Sequence, residues 1–187
     1  MPALERVLPF AKSLLRQVAG PGDTVIDATA GNGHDTLFLA DLVTDQGRVF
    51  SFDVQPEALE STRQKLAEAG IRHVRTILAG HQHVLDYVNE PISGALFNLG
   101  YLPGSDQSIS TFGETTWEAV TKMLGLLKVN GLIVLVVYHG HEAGKVEKDY
   151  LEQAFQELDS RSYQILKYQF INRKDAPYIV AIEKLHD

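Results

Sequence analysis

The chain switches repeatedly between two hydrophobic periods. Residues 24–27, 48–53, 74–78, 92–98 and 132–138 are short apolar-rich runs of strand length, and the last is apolar throughout, the mark of a strand buried on both faces. Between them lie stretches with helical spacing: residues 4–19, 35–42, 56–69, 115–127 and 145–158, the last with Leu151, Phe155 and Leu158 on one side. The punctuation agrees. Gly20-Pro21-Gly22-Asp23 stops the first helix, Asp45-Gln46-Gly47 introduces the second strand, and Pro56 and Gly70 bracket the helix between them. Residues 84–88 read as a short helical piece, and residues 163–170 and 178–184 as two closing strands. Strands and helices in alternation, ending in a strand pair, predict an open, mostly parallel sheet with an antiparallel edge. No repeat, low-complexity segment or linker interrupts the pattern, so residues 1–187 are expected to form one domain.

The first strand runs into Asp27-Ala28-Thr29-Ala30-Gly31-Asn32-Gly33 and then into a helix-forming stretch. A strand, a tight glycine turn and a helix N-terminus hold nucleotide-like cofactors at the edge of a parallel sheet. A dinucleotide fingerprint would place a third glycine at position 36, where this chain has Thr36. That argues against a nicotinamide reductase. An acid followed by a shortened Gly-x-Gly instead resembles the first motif of S-adenosylmethionine (SAM) methyltransferases.

Composition narrows the chemistry. The chain has 44% hydrophobic and 22% charged residues and no cysteine. Thiolate metal sites, cysteine-ligated iron–sulfur clusters and cysteine nucleophiles are therefore excluded, leaving direct displacement at the sulfonium methyl group for any methyl transfer. Glu5, Arg6, Pro9 and Lys12 break the N-terminal segment, so neither a signal peptide nor a membrane span is expected, and a cytoplasmic enzyme is. The formal charge of −7 favours a small-molecule substrate over nucleic acid, unless a basic footprint is local.

Ligands in such sheets lie beyond the carboxyl ends of the strands. Gly31 and Gly33 let backbone approach the ligand, and the helix starting near His34 and Asp35 offers free N–H donors to a carboxylate. Asp27 and Asp35 are expected near the cofactor's cationic groups, although Asp35 reads equally well as a helix-start acid. Asp53, closing the second strand, is expected to accept ribose hydroxyls, the alternative being a cap for the next helix. Gln55 is then placed to reach the adenosine, and His81 and Gln82 the adenine edge. The pairs His81/His83 and His139/His141 have no accompanying carboxylates, and no metal is expected.

The fourth strand ends in Phe97-Asn98-Leu99-Gly100-Tyr101-Leu102-Pro103-Gly104. Amino-directed nucleic-acid methyltransferases carry Asn/Asp-Pro-Pro-Tyr here. Asn98 and Tyr101 keep that spacing, while Leu99 and Gly100 replace both prolines. An Asn side chain can aim an amine lone pair, and an aromatic ring can stack on a base. Tyr138 and His141, at the end of the fifth strand, are candidates for orienting the acceptor or relaying its proton. Glu114-Thr115-Thr116 reads as a helix cap. Arg173 and Lys174, between the last two strands, are the best local basic feature for an RNA phosphate.

Together these motifs resemble a bacterial family of putative rRNA methylases, whose best understood members are tRNA 5-aminomethyl-2-thiouridine methyltransferases. The resemblance rests on the stretch from Asp27 through Gly31-Asn32-Gly33-His34-Asp35-Thr36 to Leu39, on Phe52-Asp53-Val54-Gln55, His81-Gln82-His83, Asn98 to Gly104, Glu114-Thr115-Thr116, Val136-Val137-Tyr138 with Gly140-His141, and Tyr168 to Asn172. The chain departs from the pattern at Ala30, where a larger residue such as Met is expected, and at His139, where Pro is expected. The resemblance implies a Rossmann-like class I methyltransferase: a seven-stranded mostly parallel sheet with helices on both faces. It further implies SAM as methyl donor, with contacts that include Asn32 and Thr36, and the anticodon region of tRNA as partner. The implied reaction is methylation of the exocyclic aminomethyl group on a wobble uridine. An alkyl amine is nucleophilic once neutral, so neither cysteine nor a strong base is required. The competing expectations are an rRNA or small-molecule SAM methyltransferase and a non-catalytic binding module. Oligomeric state is left open, a homodimer included.

Overall fold

The computed structural model describes residues 1–100 and 111–187. Helix α1 (Val7–Arg16) leads into β1 (Thr24–Asp27), α2 (His34–Val43), β2 (Arg48–Asp53), α3 (Pro56–Glu68) and β3 (Val74–Leu78). A 3-10 turn (His81–Asp86) precedes β4 (Ile92–Asn98), α4 (Gly113–Leu126), β5 (Leu127–Val137), α5 (Glu142–Phe155), β6 (Tyr163–Tyr168) and β7 (Tyr178–Lys184). The seven strands form one sheet in the order β3-β2-β1-β4-β5-β7-β6. All pairings are parallel except those of β7 with β5 and β6, which are antiparallel. The expected architecture is therefore the observed one.

Alternation along the strands sorts side chains onto two faces. Ile26, Phe50, Phe97, Ile133 and Leu135 point to one face, where Met123 of α4 and Leu151 and Phe155 of α5 cover them. Val25, Val49, Leu96, Val134 and Val136 point to the other, under Leu14 and Leu15 of α1 and Leu39 and Val43 of α2. Burial on both faces explains the continuous apolar run in β5. That strand begins earlier than its sequence predicts, because Leu127 pairs with Ile92 before the register shifts, with Asn130 at φ 69°. α1 is shorter than the predicted 4–19: Pro9 is tolerated in its first turn, where no intrahelical N–H bond is lost, and the helix ends at Arg16. Among the described residues no helix is long and apolar enough to cross a membrane.

The strand order reverses between β1 and β4. β1 lies between β2 and β4, so the loops leaving β1 and β4 diverge to opposite faces and open a crevice at their carboxyl ends.

Candidate active site

The loop after β1 is tied to the strands on either side. On one side the Asn98 N–H donates to Thr29 Oγ1 at 2.7 Å, and on the other the Gly31 N–H donates to Asp53 Oδ2 at 2.9 Å. Asp53 Oδ1 also accepts from the Gln55 N–H at 2.9 Å, so one carboxylate joins the glycine loop to the turn that starts α3. Gly31 and Gly33 have φ of 55° and 90°, a region that L side chains rarely adopt. Gly33 has a second reason to lack a side chain: a Cβ there would lie 2.9 Å from the Thr62 Cα of α3. The Thr62 hydroxyl meanwhile donates to the Ala58 carbonyl at 2.9 Å.

Asp27 and Thr36 lie under this loop rather than in its open face, both fully buried. Asp27 accepts from the Thr36 hydroxyl at 2.6 Å and the Thr29 N–H at 3.1 Å. Thr36 has a single hydroxyl hydrogen, so Ser51, 2.8 Å away, donates to Thr36. The residue at the place of a third glycine is thus a hydrogen-bonding prop for the motif's acid. Burial, then the charges of Asp35 and Asp53, push the Asp27 carboxyl up to about 7, against the pull of its hydrogen bonds from Thr36 and Thr29.

Asp35 opens α2 at the crevice, half-buried, with its Oδ2 3.4 Å from Asn98 Nδ2 and its Oδ1 4.0 Å from Lys12 Nζ. A carboxylate can only accept, so it fixes the Asn98 amide with Nδ2 toward Asp35 and leaves Oδ1 as the acceptor. Tyr138 is raised above the usual phenol range by burial and by the charge of Asp35, so it stays protonated at neutral pH.

His81 is buried, and its Nδ1 donates to the Ala28 carbonyl at 3.0 Å. Its ring packs edge-on against Phe97 at 5.2 Å. Burial lowers its pKa, so it is a neutral imidazole with Nε2 as acceptor. Gln82 folds its side chain beside Gly80, and its backbone carbonyl accepts from Lys122 Nζ at 2.6 Å. Asn32 is exposed at the loop tip, and Gln55 is buried beneath the β2–α3 turn. The four histidines of the two His-x-His pairs go to different places: His81 to Ala28, His83 toward Asp86, His139 to the Ala176 carbonyl, and His141 to the Gly144 N–H. Among the described residues no group of three or more His, Asp and Glu is arranged to hold a metal.

His141 caps α5, its Nδ1 accepting the Gly144 N–H at 3.2 Å, which leaves the proton on Nε2. A Cβ on Gly100 would lie 4.0 Å from that Nε2, so β5 and β4 bring His141 and the Asn98–Gly100 strand end together. Tyr101 lies outside the described residues. Arg173 and Lys174 are exposed on the β6–β7 connection, which the His139–Ala176 bond at 2.8 Å ties to the end of β5.

One buried group behind the site escapes the sequence reading. Gly100 and Thr111 pair through two bonds: Gly100 N–H to Thr111 Oγ1 at 3.0 Å and Thr111 N–H to the Gly100 carbonyl at 2.9 Å. The Thr111 hydroxyl then donates to Glu147 Oε1 at 2.7 Å, and Thr116 to Glu147 Oε2 at 3.0 Å. Glu147 is 2% exposed, and burial raises its carboxyl. The signal was present, since Glu147, Leu151 and Phe155 recur every four residues on the apolar face of α5. The Glu114-Thr115-Thr116 cap is corrected by the same network. These residues lie inside the first turn of α4, where Phe112 occupies the cap position and Thr116 faces Glu147.

Two positive-φ glycines, the first-turn N–H groups of α2, the Asp53 carboxylate and the Asp35 charge converge on one crevice. That donor and acceptor set suits a nucleoside carrying an amino acid and a positive charge, as SAM does.

Residues 49–183 match the family model described as "Putative rRNA methylase". A relative from Arabidopsis thaliana, "tRNA (mnm(5)s(2)U34)-methyltransferase, chloroplastic", is 38% identical over 191 residues, covering 96% of this chain and 70% of its own length. A solved structure described as a putative rRNA-methylase from Clostridium thermocellum has a TM-score of 0.96 at 39% identity, over 98% of this chain and 100% of that one. A putative methyltransferase from Streptococcus mutans, solved in complex with SAH, has a TM-score of 0.91 at 41% identity, over 97% and 99%. The chain therefore belongs to the "Putative rRNA methylase" family and is a SAM-dependent methyltransferase.

Proposed function

We propose that this enzyme methylates the nitrogen of the aminomethyl group in 5-aminomethyl-2-thiouridine at the tRNA wobble position. The observation that carries this reading is the 38% identity over 96% of the chain to a relative whose name specifies that tRNA position. The fixed orientation of Asn98 supports it.

Bound in the crevice, SAM supplies an electrophilic methyl group. Gly31, Asn32 and Gly33 border it, with Asp53 on the ribose side, and Gln55, His81 and Gln82 on the adenosine side. Asp27 and Thr36 act from below by holding the loop. Asn98 Oδ1 accepts a hydrogen bond from the neutral amine and turns its lone pair toward the methyl carbon, which is the positioning such a displacement needs. Tyr138, kept as a phenol, orients the acceptor as a hydrogen-bond donor, and His141 acts from behind by capping α5 beside the Asn98–Gly100 strand end. Arg173 and Lys174 contact the RNA backbone. The amine's proton is lost to solvent before attack, so no strong base is called for.

The test is mass spectrometry of nucleosides from undermodified tRNA and, in parallel, ribosomal RNA, each incubated with protein and SAM. A gain of one methyl group on the wobble nucleoside is expected. A gain confined to ribosomal RNA, or none on any RNA, overturns the proposal. Asn98→Ala should abolish turnover while SAH still binds, and unchanged turnover in that variant removes the amine-positioning role.

A further inference from the structure

A separate groove runs between the start of α1 and the β6–β7 connection. Arg6, Leu8 and Pro9 form one wall and Phe170, Arg173 and Pro177 the other, bordering an open groove of about 550 Å³. That volume lies within the range of about 300–1,000 Å³ usual for small-ligand sites. The walls are fastened to each other. The Tyr168 hydroxyl donates to the Glu5 carbonyl at 2.7 Å, and Phe10 stacks on Tyr168 with ring centres 4.0 Å apart. Phe170 packs edge-on against Tyr168 at 5.7 Å. The Arg173 guanidinium lies 5.0 Å from the centre of the Phe170 ring.

Charge indicates what this groove receives. The protein carries −7 overall, yet Arg6 and Arg173 flank the groove with no ion pair among the described residues. Lys174 stands exposed beside them. Unpaired guanidinium groups over an aromatic and proline-lined slot match a nucleotide: phosphate outside, base face within. A partner of ordinary acidic protein surface would use the arginines but not the stacking face. The groove adjoins the active site, because Ala176 in its lining accepts the His139 ring N–H that follows β5 and Tyr138.

We infer that this groove holds an unpaired nucleotide of the RNA substrate adjacent to the one being methylated, its base against Phe170 and its phosphate on Arg6 and Arg173. The inference rests on the RNA reading above. It makes the groove a specificity site, engaged by RNA and silent toward SAM.

The test uses steady-state methyl transfer to undermodified tRNA, together with an anticodon stem–loop RNA carrying 2-aminopurine next to the wobble position. Phe170→Leu and Arg173→Ala are each expected to raise KM for tRNA roughly tenfold, with kcat and SAH affinity unchanged. Arg161→Ala, an exposed arginine in the turn before β6, should change nothing. The wild type should quench 2-aminopurine fluorescence on binding, and Phe170→Leu should not. If wild-type enzyme acts on tRNA but both variants keep its KM and its quenching, the groove proposal falls and the RNA reading stands. If the wild type binds and methylates no RNA, the RNA reading itself falls. If Leu8→Glu and Phe170→Leu instead convert a dimer to a monomer in sedimentation, without altering KM, the groove belongs to a second copy of the chain and the proposal is overturned.

Discussion

Gly33 combines two constraints that no other residue type satisfies. Its φ of 90° costs an L side chain about 1–3 kcal/mol, and a Cβ would press on Thr62 of α3. Gly33→Ala is expected to destabilise the protein by roughly 2–4 kcal/mol in urea unfolding and to weaken SAH binding. Adding Thr62→Ala should not rescue it, because the atom approached at 2.9 Å is the Thr62 Cα rather than its side chain. Rescue by that second change would show that side-chain crowding alone makes glycine necessary. Asp27 carries a different prediction. Its carboxyl sits at about 7 in the folded chain and near about 3.9 when unfolded, so between those values only the folded chain holds the proton. The stabilisation from neutral Asp27 is full below about pH 4 and is lost as pH rises through about 7. Asp27→Asn cannot titrate, so the stability gap between variant and wild type should change across pH 5–8, with the wild type losing ground as pH rises. Parallel curves would mean that Asp27 is ionised throughout.

At the scale of elements, α5 does more than cover the sheet. Its first turn is capped by His141, and its buried face carries Glu147, which receives the hydroxyls of Thr111 and Thr116 and through Thr111 holds Gly100. Gly100 is two residues beyond Asn98, so a helix on one face of the sheet holds the strand end proposed to meet the substrate. Glu147→Ala leaves the buried Thr116 hydroxyl without its acceptor and removes the Thr111 hydroxyl's acceptor, and should cost about 1–3 kcal/mol of stability. It should also lower kcat for methyl transfer while leaving SAH affinity near the wild-type value. Glu147→Gln should restore most of both, since an amide can accept from Thr111 and donate to Thr116. Equal losses in the Ala and Gln variants would show that charge, not hydrogen bonding, is what Glu147 supplies. Element boundaries were largely legible in the sequence because periodicity and turn residues agree: β1, β2, β3, β4 and β7 fall on the predicted residues. β5 starts early, because pairing across a bulge is a non-local event that no local pattern records.

For the whole molecule, electrostatics must reconcile an acidic chain with the RNA substrate proposed for it. A net charge of −7 offers no general attraction to a polyanion, so binding depends on local cations against an unfavourable background. Removing Arg173 and Lys174 together should reduce the slope of log affinity for tRNA against log salt by about 1.5. An unchanged slope would place the phosphate contacts elsewhere. The sheet allows the proposed footprint: β7 inserts antiparallel between β5 and β6, and the resulting hairpin carries Arg173 and Lys174 to the strand ends where the crevice lies.

Short-range patterns settle the order of strands and helices, the glycine turn after β1 and the Asn98 strand end, because each depends on period and backbone conformation over a few residues. The absence of cysteine limits the chemistry in the same direct way. Which groups face the crevice and which support it is decided only by the tertiary structure. Asp27 and Asp35 look alike in sequence, yet one is sealed beneath the loop with Thr36 and Ser51 while the other turns Asn98 at the crevice. Glu147 reads as a misplaced charge on an apolar helix face until Thr111 and Thr116, more than thirty residues away, arrive as its partners. The physical reason is the same in each case. A buried polar group is stable only with its hydrogen-bond partners, and those partners are brought together by packing rather than by sequence separation.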